Sequence, residues 1–248
     1  MIKRSFDIFF SFCLIIFFLP VFLVVSFLIW QQDFFSPLYV SKRIGKEGIE
    51  FKFYKFRSMK VNADTSGVNS TSANDSRITF IGKIIRKFKI DELPQLINVL
   101  FGQMSLVGPR PNVQADVSIY TEIEQKLLKV KPGITDFSSI VFSDEGEILE
   151  DSKNPDLKYN QVIRPWKSRL GLLYIEKSNF LLDIKLIVIT IISIFSRKYS
   201  LILINMTLKK LDAGKKLINI FLREKKLTPY PPPGKNEIVA TIDFEGQK

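Results

Sequence analysis

The stretch IFFSFCLIIFFLPVFLVVSFLIW, from Ile8 to Trp30, holds 23 residues without a charge. As one helix it would be roughly 35 Å long at about 1.5 Å per residue, a length that suits a lipid bilayer. A secretory signal carries a shorter apolar region and a small-residue cleavage site, whereas this run ends in Trp30, Gln31, Gln32 and Asp33. Pro20 sits near its middle, where it removes one helical hydrogen bond and favours a kink, with Ser11 and Ser26 placed to satisfy the freed groups. Lys3 and Arg4 precede the run, and Lys42, Arg43 and Lys46 follow it. Basic flanks mark the cytoplasmic side of a membrane. A bent helix that enters and leaves one leaflet fits both the kink and the two flanks, and a kinked spanning helix stays open beside it.

The rest of the chain is of another kind. Across 248 residues, 36 Lys and Arg against 25 Asp and Glu leave a formal charge of +11, with 22 Phe, no His and one Cys. A lone Cys13 makes no internal disulfide, and a chain without His has none of the usual zinc, haem or His-dependent triad sites. Any chemistry must run on Asp, Glu, Ser, Lys, Arg or Tyr. From Ser36 to Met59, Gly45 and Gly48 mark a turn and Ile49, Phe51 and Phe53 alternate with polar residues, which predicts a short β-hairpin. Asn62 to Ser76 has no large apolar residue except Val68 and reads as a mobile loop whose natural place is over a site. Ile78 to Lys89 and Leu93 to Phe101 show helical spacing in Ile81, Ile84, Ile85 and Phe88, then Leu96, Ile97 and Leu100.

Between those two helices lies Lys89-Ile90-Asp91-Glu92-Leu93-Pro94. Proline suits the first turn of a helix, so Asp91 and Glu92 fall at a helix amino terminus, where a capping role is the simplest reading. The cations around them suggest more. Lys55, Arg57, Arg77, Lys83, Arg86, Lys87 and Lys89 lie upstream, and Gly108-Pro109-Arg110-Pro111 follows as a rigid turn carrying one guanidinium. Arginine holds phosphate oxygens bidentately, two adjacent carboxylates can hold Mg²⁺ with substrate phosphates, and without histidine a carboxylate is the plausible nucleophile for phosphoryl transfer. A basic face on anionic lipid accounts for the cations but not for the paired acids among them.

The order and spacing of several blocks across roughly residues 3 to 195 resemble the small monotopic phosphoglycosyl transferases, the bacterial initiating sugar transferases. They are Lys3-Arg4-Ser5-Phe6-Asp7-Ile8, Arg43-Ile44-Gly45, Lys55-Phe56-Arg57-Ser58-Met59, Asp91-Glu92-Leu93-Pro94-Gln95-Leu96, Met104-Ser105-Leu106-Val107-Gly108-Pro109-Arg110-Pro111 and Lys131-Pro132-Gly133-Ile134-Thr135. The resemblance implies transfer of a sugar 1-phosphate from a nucleotide sugar, usually a UDP-sugar, to polyprenyl (undecaprenyl) phosphate with release of UMP, which starts a glycan on its lipid carrier. It implies Asp91 as nucleophile forming a covalent phosphosugar, Glu92 as its partner, and both as the residues that hold Mg²⁺. Arg86 and Arg110 would bind substrate phosphate, and we group Lys55 and Arg57 with them. It further implies a re-entrant helix broken near Pro20 and a catalytic domain on the cytoplasmic face of the bacterial inner membrane, with membrane lipid and downstream glycosyltransferases as partners and no nucleic acid.

Some positions depart from the family's usual pattern. Gln103 stands where an Asp is common, Ser41 or Lys42 replaces the Gln before the Arg-x-Gly segment, Leu19 rather than Ser precedes Pro20, and Asp136 to Phe142 is unlike the usual segment near the donor. Donor identity is therefore open.

The fold class expected is α+β, mainly α: an amino-terminal re-entrant membrane helix, a small β-hairpin, catalytic helices and amphipathic interfacial helices. The expected division is 1–35 for the membrane element, 36–199 for the catalytic domain and 200–248 for an amphipathic helix and extended tail. Asp156 to Lys177 reads as helical around Pro165, with Trp166 among Arg164, Lys167 and Arg169 at the lipid headgroup level. Leu181 to Phe195 is apolar but broken by Asp183 and Lys185 and reads as a helix lying in the interface or packed on the re-entrant element. Leu208 to Lys226 reads as a basic amphipathic surface helix, and Thr228 to Gly234, with four prolines, as a stiff extended tether, with partner docking as the sharper alternative. A non-catalytic membrane-bound basic scaffold or lipid-binding protein is the alternative to the transferase.

Overall fold

The computed structural model describes residues 2–66, 70–150, 152–221 and 226–241. It is mainly helical with two small sheets. Helices α1 (Ile2–Phe17) and α2 (Leu19–Asp33) meet at a 60° bend. The bend falls at Phe18, and Pro20 lies in the first turn of α2, where its missing N–H leaves no gap in the ladder. Among the described residues no single helix is long and apolar enough to cross a membrane, but this bent pair is by length and composition.

Both ends of the pair are fastened to the rest of the chain. Lys3 Nζ donates to Asp183 Oδ2 (2.7 Å) and the Val107 carbonyl (3.0 Å), and Arg4 donates to the carbonyls of Val99 (2.6 Å) and Leu100 (2.8 Å). The buried carboxylate of Asp7 accepts from Leu106 N–H at 3.1 Å. At the other end, Arg57 grips Asp33 through Nη1 (2.5 Å) and Nη2 (2.6 Å) and donates through Nε to the Ser36 carbonyl. Val25 and Ile29 pack there in a small cluster with Phe56 and Ile85. Around the bend many apolar side chains are bare, with Phe17 73% and Leu23 65% exposed, while Leu14, Ile15, Val21 and Phe22 pack partly against the core.

The expected hairpin is β1 (Leu38–Ile44) antiparallel to β2 (Glu50–Phe56). Helix α3 (Phe80–Lys87) follows, capped by Thr79, whose Oγ1 accepts from Gly82 N–H. After a 3₁₀ turn over Ile90–Glu92 comes α4 (Gln95–Leu100). Asn98 on α4 donates to the Lys52 carbonyl (2.6 Å) and accepts from Tyr54 N–H (3.1 Å), which locks the helix against β2; Gln103 accepts its second N–H (2.7 Å). Gln103 thus serves as a neutral hydrogen-bond partner.

The hydrophobic alternation did not reveal the second sheet. Strand β3 (Ser105–Val107), followed by α5 (Gln114–Ser118), lies parallel to β4 (Gly133–Thr135). Three residues per strand are too few for a period-two pattern to register. Gly108 and Gly133 meet so closely that a Cβ on Gly133 would stand 2.0 Å from Gly108 N. This contact holds the Gly-Pro-Arg-Pro turn against the second strand.

Short helices α6 (Phe137–Val141), α7 (Glu145–Leu149) and α8 (Pro155–Lys158) lead through a π-turn over Tyr159–Ile163 into α9 (Arg164–Lys177). The interruption expected at Pro165 is this π-turn, with Pro165 itself in the first turn of α9. Helices α10 (Phe180–Phe195), α11 (Arg197–Lys210) and α12 (Lys215–Phe221) complete the described helices. The main core joins Phe137, Ile140, Ile163, Leu170, Leu186 and Ile204.

Four expectations are corrected. The α9 residues expected at a lipid headgroup level face protein: Arg164 is buried on Glu124 (2.6 Å), Lys167 pairs with Glu145, and Trp166 is 6% exposed. The apolar side of 208–221 turns inward, with Leu208 and Leu217 buried in the core and a break at Asp212 to Gly214; residues 222–225 lie outside the described part. The proline-rich tail is docked. Tyr230 stacks on Trp166 at 4.4 Å, its N–H donates to the Gln161 carbonyl (2.9 Å), and the Pro233 carbonyl accepts from Thr121 Oγ1 at 2.5 Å. The loop over 62–76 is also fastened on both sides of residues 67–69, which lie outside the described part: the Ala63 carbonyl accepts from Arg77 Nη1 (3.1 Å), and Ser70 N–H donates to Asp156 (2.7 Å).

Candidate active site

The dyad owes its position to one backbone feature. Lys89 adopts φ 54°, ψ 22°, a left-handed conformation that a branched-off side chain tolerates poorly, and it turns the chain from α3 into the 3₁₀ turn that carries Asp91 and Glu92. Lys89 Nζ reaches the Ser139 carbonyl at 3.3 Å. Pro94 then starts α4 without any side-chain cap, so neither carboxylate serves the capping role open to it from sequence.

The two acids have opposite environments. Glu92 Oε1 accepts from Arg110 Nη2 at 2.6 Å, and the turn Gly108 to Pro111 that holds Arg110 is fixed by Gly108 N–H to the Thr135 carbonyl and Gly133 N–H to the Pro109 carbonyl, both 3.0 Å. Burial opposes the charge on Glu92, but the charge and hydrogen bond of Arg110, with Lys89 and Lys55, outweigh it and hold Glu92 down at about 2. Asp91 is only 7% exposed, and its carboxylate accepts no hydrogen bond and joins no ion pair among the described residues. Burial first, and the adjacent Glu92 charge second, push it up to about 6 against the pull of Lys55, Arg86 and Arg110. The pair is thus divided into a buried, unengaged carboxylate, Asp91, and one fixed by a guanidinium, Glu92.

Of the cations expected at the site, Lys55, Arg86 and Arg110 stand within the electrostatic reach of Asp91. Burial presses Lys55 down to about 8 although Asp91 opposes the shift, and no ion pair satisfies it among the described residues. Arg86 makes a single 3.4 Å contact to Ser58 Oγ. Arg57 is not brought to the dyad: its guanidinium is occupied by Asp33 and the Ser36 carbonyl, so it fastens α2. Two further residues belong to the neighbourhood. Lys89 acts on Glu92, and Arg43 acts on Lys55. Arg43 was readable from period two, because Tyr39, Ser41 and Arg43 alternate on one strand.

Beyond Arg110 a small polar cavity opens, lined among others by Asp136, Ser138, Tyr159 and Lys167. Asp136 caps α6 through a capping box with Ser139 and accepts Ser138 Oγ at 2.8 Å, so its carboxylate is occupied by structure. Two carboxylates, one of them unengaged, with guanidinium groups around them and a polar cleft alongside, form an arrangement chemically able to bind phosphate groups.

The family assignment agrees. A family model described as bacterial sugar transferase matches residues 1–197, and the chain belongs to that family. It is 35% identical over 200 residues to the UDP-glucose:undecaprenyl-phosphate glucose-1-phosphate transferase of Klebsiella pneumoniae, covering 79% of this chain and 40% of that protein. It is 43% identical over 134 residues to a putative undecaprenyl-phosphate N-acetylgalactosaminyl 1-phosphate transferase of Bacillus subtilis, 54% of this chain and 71% of the other. The exopolysaccharide production protein PSS of Rhizobium leguminosarum bv. phaseoli is 34% identical over 207 residues, 79% of this chain and 96% of that one. The chain thus spans well under half the length of the Klebsiella relative.

Proposed function

We propose that the protein is a membrane-associated phosphoglycosyl transferase that moves a sugar 1-phosphate from a UDP-sugar to undecaprenyl phosphate and so initiates a glycan. The observation that carries this reading is the unengaged Asp91 carboxylate beside an Arg110-bound Glu92, in a chain whose relatives are named for this transfer.

An oxygen of Asp91 attacks the β-phosphorus of the donor. A bond from that oxygen to phosphorus forms, the bond from phosphorus to the bridging oxygen breaks, and UMP departs with the electron pair. An oxygen of polyprenyl phosphate then attacks the same phosphorus, the Asp91 bond breaks, and the carboxylate is restored as the lipid diphosphosugar leaves. Arg110 and Arg86 bind and orient the phosphates, Lys55 adds a third positive charge, and Glu92 fixes the Arg110 guanidinium. Burial keeps water from the Asp91 oxygen and removes its hydration before attack.

The donor set fits Mg²⁺, which commonly takes one or two protein carboxylates and fills its remaining positions with phosphates and water. Asp91 and Glu92 would hold it, the described residues offering no cluster of three metal-ligating side chains. Bound there, the ion would neutralise charge on the departing nucleotide phosphate.

The membrane reading extends the same proposal. The α1–α2 pair has both ends fastened to one domain and a bare apolar bend between them. A spanning helix would place its two ends on opposite faces, so the arrangement supports a re-entrant anchor; the cytoplasmic leaflet is the side proposed from the basic residues Lys42, Arg43 and Lys46 that follow the pair. Exposed Leu181, Val188, Ile191 and Phe195 on α10 support interfacial contact there.

The test is UMP release by the full chain in nanodiscs, with Mg²⁺, undecaprenyl phosphate and a panel of UDP-sugars. Release by the parent and loss in Asp91→Asn support the transferase. Equal release by both sinks Asp91 as nucleophile, and no release by either with any donor favours the scaffold.

A further inference from the structure

Outside the dyad, the inner face of the β-hairpin gathers polar groups that have nothing to bind. The register sets Ser41 opposite Phe53, Arg43 opposite Phe51 and Tyr39 opposite Lys55, and residues paired across an antiparallel ladder share a face. Ser41 Oγ and Arg43 Nε are both buried without a hydrogen-bond partner. Buried donors of this kind destabilise a fold when left unsatisfied, more so for a charged group. The Arg43 guanidinium lies over the Phe53 ring at 5.6 Å, and Lys55 Nζ over the Tyr39 ring at 5.7 Å, so each is flanked by an aromatic rather than a carboxylate. Neither forms an ion pair among the described residues; Asp116 acts on Arg43 only through its field.

The strand end is tied to the catalytic turn. Ile44 N–H donates to the Asn112 carbonyl at 2.9 Å, two residues beyond Arg110. Arg43 therefore stands beside Arg110, and each guanidinium feels the other's charge. Arg110 is matched by Glu92, but Lys55 and Arg86 share the single charge of Asp91, and Arg43 has only the field of Asp116. Such a surplus is expected where a second anion binds.

We propose that Ser41, Arg43 and Lys55 form a second phosphate subsite on the hairpin face, separate from the Arg110–Glu92 pair. Its ligand is a phosphate group, supplied either by the donor's second phosphate or by the head of the polyprenyl acceptor. The hydroxyl and guanidinium donate hydrogen bonds to its oxygens while Lys55 adds charge. This inference rests on the transferase reading for the identity of the ligand, not for the existence of the subsite.

The experiment uses the full chain in nanodiscs with Asp91→Asn in every protein, so that nothing turns over. Affinities for UMP, uridine diphosphate and a short-chain polyprenyl phosphate are measured with and without Arg43→Gln. The expected result is at least tenfold weaker binding of uridine diphosphate or of polyprenyl phosphate, with UMP within twofold. Loss on the diphosphate arm assigns the donor, and loss on the lipid arm assigns the acceptor. Retention of all three affinities within twofold overturns the subsite. If Arg43→Gln lowers all three together with the melting temperature, Ser41→Ala decides: about threefold weakening on one arm upholds the subsite, and no change overturns it. UMP release by the protein with native Asp91 is scored separately, so a silent parent counts against the transferase reading while these titrations still judge the hairpin face.

Discussion

Asp91 is held in the folded chain with its proton affinity raised, and that has a measurable cost. Its folded value near 6 lies above the ordinary 3.8, so its ionised form is disfavoured by folding. The penalty is absent below the unfolded value and complete above the folded one. Asp91→Asn is therefore expected to raise stability by on the order of 1–3 kcal/mol at pH 7.5, with the gain gone by about pH 3.5. Thermal unfolding of the two proteins at both pH values checks this; a mutant less stable at pH 7.5 contradicts it. Glu92 contributes to the upward push, so Glu92→Gln should carry the acid limb of any residual activity to lower pH. A pH–rate profile whose acid limb stays in place or moves upward would count against that coupling. The dyad was legible from two adjacent acids among bases, but its division of roles was not, because it depends on Arg110, 18 residues away, reaching Glu92 and leaving Asp91 alone.

At the scale of elements, the hairpin, α3, α4 and α10 follow from spacing that is strong and local. What could not be read, strand alternation at Arg43 aside, was which partner each inward-turned charged residue finds. Arg57 resembles a phosphate ligand in sequence, yet it is 8% exposed and bound to Asp33. Arg57→Ala is expected to lower stability by about 1–3 kcal/mol while the folded protein keeps its KM for the donor, measured by unfolding and steady-state kinetics. A KM raised tenfold with unchanged stability would return Arg57 to the phosphate site. The tail is a similar case. Thr228 to Gly234 has the composition of a tether, but Tyr230 finds Trp166 and Arg169, whose Nη1 also donates to the Pro231 carbonyl at 3.0 Å. No local pattern encodes a stacking partner 64 residues away. Tyr230→Ala should cost about 1–3 kcal/mol, seen as earlier unfolding, and an unchanged transition would mean that the strap adds nothing to the fold.

At the scale of the whole molecule, the bent anchor and the catalytic domain act as one unit because Lys3, Arg4 and Asp7 at one end and Asp33 at the other are bound into it. Lys3 and Arg4, part of the double basic flank, are engaged with protein, and the two anchors place both ends of the bent pair on one side of the chain. On the proposed transferase reading, an insoluble acceptor and a soluble donor would then meet at Asp91 without either leaving its own phase. The central claim is that Asp91 carries the phosphosugar. The most direct measurement is the intact mass of the full chain after incubation with Mg²⁺ and a UDP-sugar, without polyprenyl phosphate, alongside UMP release. The account predicts one equivalent of UMP per chain and a mass gain of one sugar phosphate, both absent in Asp91→Asn and the gain reversed by adding acceptor. Transfer that proceeds with acceptor while the chain never gains mass, or an adduct that persists in Asp91→Asn, would contradict it.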